Sequence, residues 1–192
     1  MGYGIVPYAF KSSYWSMFGS GDLTNIEQWD MEADDLDASL ADGTGDDELL
    51  PDARQSLRQM IMGEPLDEHS GYLYGYWLEE FCKCEALLPN GACMPFGKDL
   101  PQLVQEGLSR AGVAGVSVLS IMYNDPPIKL PIADWPGIGY TAHSEILSLL
   151  EAFKGCNLEA EPDWQVRASM LELRGWLCFC AERKLDLVCF YH

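Results

Sequence analysis

The sequence predicts an α+β fold: a mostly helical single domain over residues 1–192, with a small sheet containing the N- and C-terminal strands. Three observations lead there. The chain opens on Tyr3–Phe10, rich in aromatic and branched residues as strands are. It closes on Leu185–Tyr191, where Leu185, Leu187 and Cys189 alternate with Val188 and Phe190, so both faces are apolar and the strand should be buried in a sheet. Between these ends the pattern is mainly helical, without the strand–helix alternation of a doubly wound sheet. Neither terminal strand can satisfy its backbone alone, so the two are expected in one sheet.

The elements follow in order. Ser12 and Ser13 offer an N-cap for a short helix through Phe18, closed by Gly19-Ser-Gly21. Leu23, Ile26, Trp29, Leu36 and Leu40 mark a weak amphipathic helix in an acidic stretch, and Asp42–Asp47 reads as a mobile loop. Ala53–Met62 is helical, with Leu57, Met60 and Ile61 on one face and Gly63 as its stop. Tyr72–Leu87 carries an apolar stripe and is expected as the next helix, and Leu100–Ala111 as another. Val116–Tyr123 fits a short helix or a strand. Pro136-Gly-Ile-Gly139 reads as a turn, with Gly137 and Gly139 suiting positive φ. Thr141-Ala-His-Ser-Glu145 can cap a helix running to about Lys154. Asp163 to about Lys184 is the longest helix.

Charge is distributed unevenly along this chain. From Asp22 to Asp52 there are twelve acidic residues and no Lys or Arg, and the run from Ser12 to Ala53 is base-free. This segment, about 22–52 and expected to be partly mobile, supplies twelve of the net charge of −18. Such a field repels nucleic acid and anionic membrane and attracts cationic surfaces. The twelve bases are scattered, with Arg54 and Arg58 the closest pair, so no basic stripe exists to neutralise phosphates. The N-terminus lacks a basic signal region and no stretch has the length of a membrane span. The seven cysteines cannot all pair with one another and mostly sit in apolar runs, which fits buried thiols and a cytoplasmic location.

Motifs for chemistry are sparse. Cys82-x-Cys84 and Cys178-x-Cys180 look like zinc ligand pairs, but both fall in expected helices, where residues two apart point about 200° apart. A calcium loop starting at Asp42 would put Asp47 where Gly is needed and Ala53 where a bidentate Glu is needed. His143-Ser-Glu145 has the residue types of a catalytic group, yet helix capping explains Ser144 and Glu145 equally well. No Gly-x-Ser-x-Gly elbow, phosphate loop or dinucleotide fingerprint occurs. No catalytic residue, cofactor or metal is therefore assigned.

Several segments together resemble a family of uncharacterised bacterial proteins of similar length. They are Tyr3-Gly-Ile-Val-Pro-Tyr-Ala9, Met62-Gly-Glu-Pro-Leu66 with Tyr72-Leu-Tyr-Gly-Tyr76, Pro126-Pro-Ile-Lys-Leu-Pro131 with Pro136-Gly-Ile-Gly-Tyr140, and the closing Leu187-Val-Cys-Phe-Tyr-His192. The likeness runs over essentially the whole chain. A fainter similarity, in the Gly-x-Pro-Leu turn before an aromatic helix, points to YfbM-like proteins. Neither resemblance implies an activity or a site residue.

The expectation is an acidic cytoplasmic interaction protein, similar in class to immunity or antitoxin proteins, that docks a basic protein and binds neither nucleic acid nor membrane. Its candidate partner-binding residues are Asp34, Asp35, Asp37, Asp46, Asp47 and Glu48, with Trp29, Leu36 and Leu40 either anchoring the partner or packing the segment onto the core. Two alternatives stay open: an enzyme or small-molecule binder with an aromatic pocket lined by Tyr72, Tyr74, Tyr76 and Trp77, and a structural zinc protein.

Overall fold

The computed structural model describes residues 4–24, 26–44, 51–84, 86–94, 97, 99–131, 133 and 136–192. The fold is α+β. Four strands form one antiparallel sheet: β1 (Ile5–Phe10), β2 (Ala86–Leu87), β3 (Gly137–Thr141) and β4 (Asp186–Tyr191), in the order β2-β1-β4-β3. The helices are α1 (Asp30–Thr44), α2 (Ala53–Met62), α3 (Gly71–Lys83), α4 (Leu100–Arg110), α5 (Val118–Met122), α6 (His143–Ala152) and α7 (Trp164–Arg183). Short 3-10 turns cover Ser12–Met17, Ile26–Trp29 and Leu158–Ala160.

The contacts of the chain gather into two compact units. The first holds residues 1–12, 82–126 and 137–192; the second holds 13–81 and 127–136.

The first unit contains the sheet. As expected, the terminal strands share it, and they are direct neighbours: Ile5 lies opposite Tyr191 and Phe10 opposite Asp186. Gly4 and His192 exchange two further backbone hydrogen bonds of 2.9 and 3.1 Å, which extend the ladder by one position. Leu187, Val188, Cys189 and Phe190 are at most 1% exposed, so β4 is buried on both faces as its composition requires. Ile5, Val104, Leu108, Met170, Leu177 and Leu187 belong to the core packed between the sheet, α4 and α7.

Three expectations change here. Residues 86–87 are not the end of α3; they pair with Tyr8 and Ala9 as β2, so tertiary pairing overrides the helical stripe. Pro136–Gly139 is not a turn, because Gly137–Thr141 is edge strand β3. Neither of its glycines has positive φ. They serve close approach instead: a Cβ on Gly139 would lie 1.8 Å from the Ile121 carbonyl oxygen, and one on Gly137 would lie 2.7 Å from the Tyr123 ring. Asn124 covers this edge, accepting from Tyr140 N–H at 3.0 Å and donating its amide to Tyr140 O at 2.8 Å.

The third change concerns α6. Thr141 belongs to β3, opposite Leu187, and the N-cap Ala142 has no side chain to offer. The orphan donor at His143 N is met by Asp186 Oδ1 of β4 at 2.8 Å, while Tyr140 OH donates to Asp186 Oδ2 at 3.1 Å. Asp186 is 2% exposed, so this carboxylate is a tertiary cap in the core. Its neighbour α7 begins as the sequence suggested: Asp163 Oδ1 accepts from Gln165 N and Val166 N at 2.9 and 3.0 Å.

The second unit is helical. Ala53, Leu57, Met60 and Ile61 of α2 and Leu73, Tyr74, Trp77, Leu78 and Phe81 of α3 are buried. Asp52 caps α2 by accepting from Gln55 N at 2.7 Å, and Gly63 ends it at φ 68°, a left-handed conformation that costs glycine little. Helix α1 runs through Thr44, so its last turn overlaps the expected Asp42–Asp47 loop; residues 45–50 lie outside the described residues.

Candidate functional site

The acidic segment, about 22–52, falls wholly within the second unit. In sequence terms this unit carries 18 acids against three bases, a net of −15. The first carries 12 acids against nine bases, a net of −3. The charge asymmetry along the chain is therefore an asymmetry between units.

Local geometry sorts the six candidate carboxylates. Asp34 and Asp35 stand exposed on α1, and Asp34 lies 3.5 Å from Arg54 on α2. That ion pair is solvent-exposed, so it contributes little to stability and leaves Asp34 accessible. Asp37 differs. Its Oδ1 accepts from Ala53 N–H at 2.8 Å, so its charge sits at the N-terminus of α2, where the helix dipole favours it. Asp37 is thus a structural residue of the α1–α2 pairing. Asp46, Asp47 and Glu48 lie outside the described residues.

Of the apolar candidates, Trp29 packs its ring 4.6 Å from Phe81 and 6.3 Å from Trp77, both edge-on, and Leu36 is 8% exposed. Both therefore fix the segment to its own core. The side chain of Leu40 lies outside the described residues.

Beside Trp29 is a cleft of about 360 Å³ that the sequence reading did not foresee. Gly19 and Gly21, both in left-handed conformations, flank Ser20, which lines it. Gly19 N–H donates to Met60 O at 2.9 Å and Gly21 N–H to Ile61 O at 3.0 Å, which ties the turn to the end of α2. Between them Ser20 Oγ accepts from Asp22 N at 3.1 Å. Asp22 Oδ1 then accepts from Thr24 N at 3.0 Å and from the Thr24 hydroxyl. These bonds hold the Asp22 carboxyl below the ordinary carboxylate value, the hydroxyl bond being the larger cause. Ser13, Ser16, Ser20, Tyr14 and Trp29 also line it, and the Ser16 hydroxyl donates to Ser13 O at 2.7 Å. The signal in the sequence was Gly19-Ser-Gly-Asp22, readable as a turn but not as a rim.

The aromatic quartet does not line this cleft. Trp77 is fully buried, donating from Nε1 to Ala53 O at 2.7 Å and to Ser56 Oγ at 3.1 Å. Tyr74 is equally buried; its hydroxyl donates to Gln59 Oε1 at 2.7 Å and accepts from Asp67 N at 2.9 Å. Tyr72 and Tyr76 are half-buried on the same helix.

Among the cysteines, Cys82 and Cys180 are buried, Cys178 is half-buried and Cys84 is exposed just beyond α3. Burial pushes the Cys93 and Cys180 thiols up to about 12, with Glu172 and Asp186 acting in the same direction. No three His, Cys, Asp or Glu side chains converge on a possible metal position among the described residues. In the first unit, His143 Nδ1 is buried without a partner among the described residues, next to the Asp186 cap.

A family model described as a domain of unknown function, DUF7691, matches residues 1–192. The chain belongs to that family. The match spans the whole chain, as the resemblance to an uncharacterised family implied, and it brings no activity with it. No curated protein and no solved structure matches, so the YfbM-like similarity stays a resemblance. No described helix is long and apolar enough to cross a membrane.

Proposed function

We propose that this DUF7691 protein is an acidic interaction protein, of the immunity or antitoxin kind, whose second unit docks a basic partner protein. One observation carries the reading: a net of −15 is concentrated in one compact unit while the other carries −3. A field of one sign confined to one unit orients an approaching cation as well as attracting it. Exposed Asp34 and Asp35 on α1 face the encounter, and exposed Met31 on the same helix offers apolar contact beside them. Asp37, Leu36 and Trp29 hold that helix in place. The buried thiols fit a reducing bacterial cytoplasm.

The test is a pull-down with the full chain at low and at high salt. A basic protein should be retained at low salt and released at high salt, and binding should fall when Asp34 and Asp35 become Asn. Retention that is indifferent to both changes counts against docking by charge.

A further inference from the structure

We propose that the cleft beside Trp29 is the seat of an arginine side chain of the docked partner; this rests on the docking reading and names the chemistry of its anchor. A guanidinium is planar and cationic and presents five donors. The cleft supplies a counterpart for each property. Asp22 is an anion on its rim, and its Oδ2 has no hydrogen bond among the described residues, because both Thr24 contacts go to Oδ1. Those contacts also tie the carboxylate to the Thr24 backbone and side chain. Tyr14 and Trp29 provide the aromatic surface on which guanidinium groups stack. Ser13, Ser16 and Ser20 line the same cleft, and no base does among the described residues.

Size and placement agree. At about 360 Å³ the cleft is at the small end of ligand sites, suited to a side chain rather than to a cofactor. It opens in the unit that carries the net −15, so long-range attraction and short-range recognition act on the same approach. Lysine would lose the planar fork and the stacking, so arginine is favoured.

The probe is N-acetyl-arginine amide, titrated into the full chain and followed by amide and Trp indole NMR shifts. The neutral isostere N-acetyl-citrulline amide and the lysine amide serve as comparisons. The expected result is weak, saturable binding with shifts centred on Ser20–Thr24 and the Trp29 indole, weaker for lysine and lost for citrulline. Asp22→Asn keeps the Oδ1 acceptor for Thr24, so the fold should persist while arginine binding falls about tenfold. Unsaturable shifts spread over α1, equal binding of citrulline, or an Asp22→Asn variant that binds like the parent would each overturn the arginine seat. The docking reading fails separately, when partner association is insensitive to salt. Saturable arginine binding in that case would assign the cleft to a small guanidinium ligand and overturn its role as a partner's anchor.

Discussion

The carboxylate of Asp37 accepts a hydrogen bond from the backbone N–H of Ala53, 2.8 Å away. This contact joins α1 to the first residue of α2. With Asp52, which accepts from Gln55 N at 2.7 Å, it puts two carboxylates on one helix N-terminus. Acidic residues that look equivalent in sequence thus divide into those that hold the segment and those that face solvent.

Asp37→Ala is expected to destabilise the protein by about 1–2 kcal/mol, through loss of a charge-assisted bond at a helix N-terminus. Asp37→Asn retains an acceptor and should cost less. Asp34→Asn and Asp35→Asn should change stability by no more than about 0.5 kcal/mol, since both are exposed. Urea unfolding of the four variants checks the order.

Gly139→Ala should destabilise by about 3 kcal/mol or more, because a Cβ would lie 1.8 Å from the Ile121 carbonyl oxygen, which is backbone and cannot rotate away. Gly175→Ala is the contrasting case. It lies exposed within α7 with nothing within 4 Å of the new Cβ, and should stabilise by about 0.5–1 kcal/mol. Equal melting temperatures for the two variants would contradict the close-packing reading of β3.

Removing residues 189–192 should abolish cooperative unfolding. Strand β4 lies between β1 and β3, and the deletion takes away buried Phe190, whose ring is 5.8 Å from Tyr8, together with ladder bonds on both sides. A melting temperature equal to that of the full chain would contradict the central role of this strand.

Much of this fold is legible in the sequence, and the exceptions have physical causes. Helices α2 and α7 follow from short-range periodicity, and local carboxylates, Asp52 and Asp163, cap them. The pairing of the two ends follows from backbone satisfaction. Strand β3 was hidden because its glycines read as turn residues, and only the proximity of Ile121 and Tyr123 explains them. The α6 cap was hidden because its acceptor, Asp186, is distant in sequence from His143. The cleft at Asp22 was hidden for the same reason: the turn around Ser20 is tied to Met60 and Ile61 of α2. The acidic character of the candidate surface was legible from composition alone, but the distinct role of Asp37 was not.

Alkaline pH should weaken the fold. The folded-state thiols of Cys93 and Cys180 are raised to about 12 from an ordinary 9.0, chiefly by burial. The folded protein therefore keeps protons that the unfolded chain gives up above pH 9.0, so this stability is complete below that pH and is lost as pH rises toward 12. The urea midpoint should fall between about pH 8 and pH 10.5, and fall less in Cys180→Ala than in the parent. A midpoint constant over that range would contradict the burial of these thiols.

Association kinetics are the sharpest test of whether the second unit attracts a basic protein through its concentrated charge. With the partner recovered at low salt and purified, the parent chain and an Asp34→Asn, Asp35→Asn variant are compared across ionic strengths, leaving Asp37 intact because it is structural. The association rate should fall roughly tenfold as salt rises and be slower for the variant at low salt, while the dissociation rate hardly moves. An association rate that is the same for both proteins and indifferent to salt would contradict this attraction and leave the acidic run as a solubility feature.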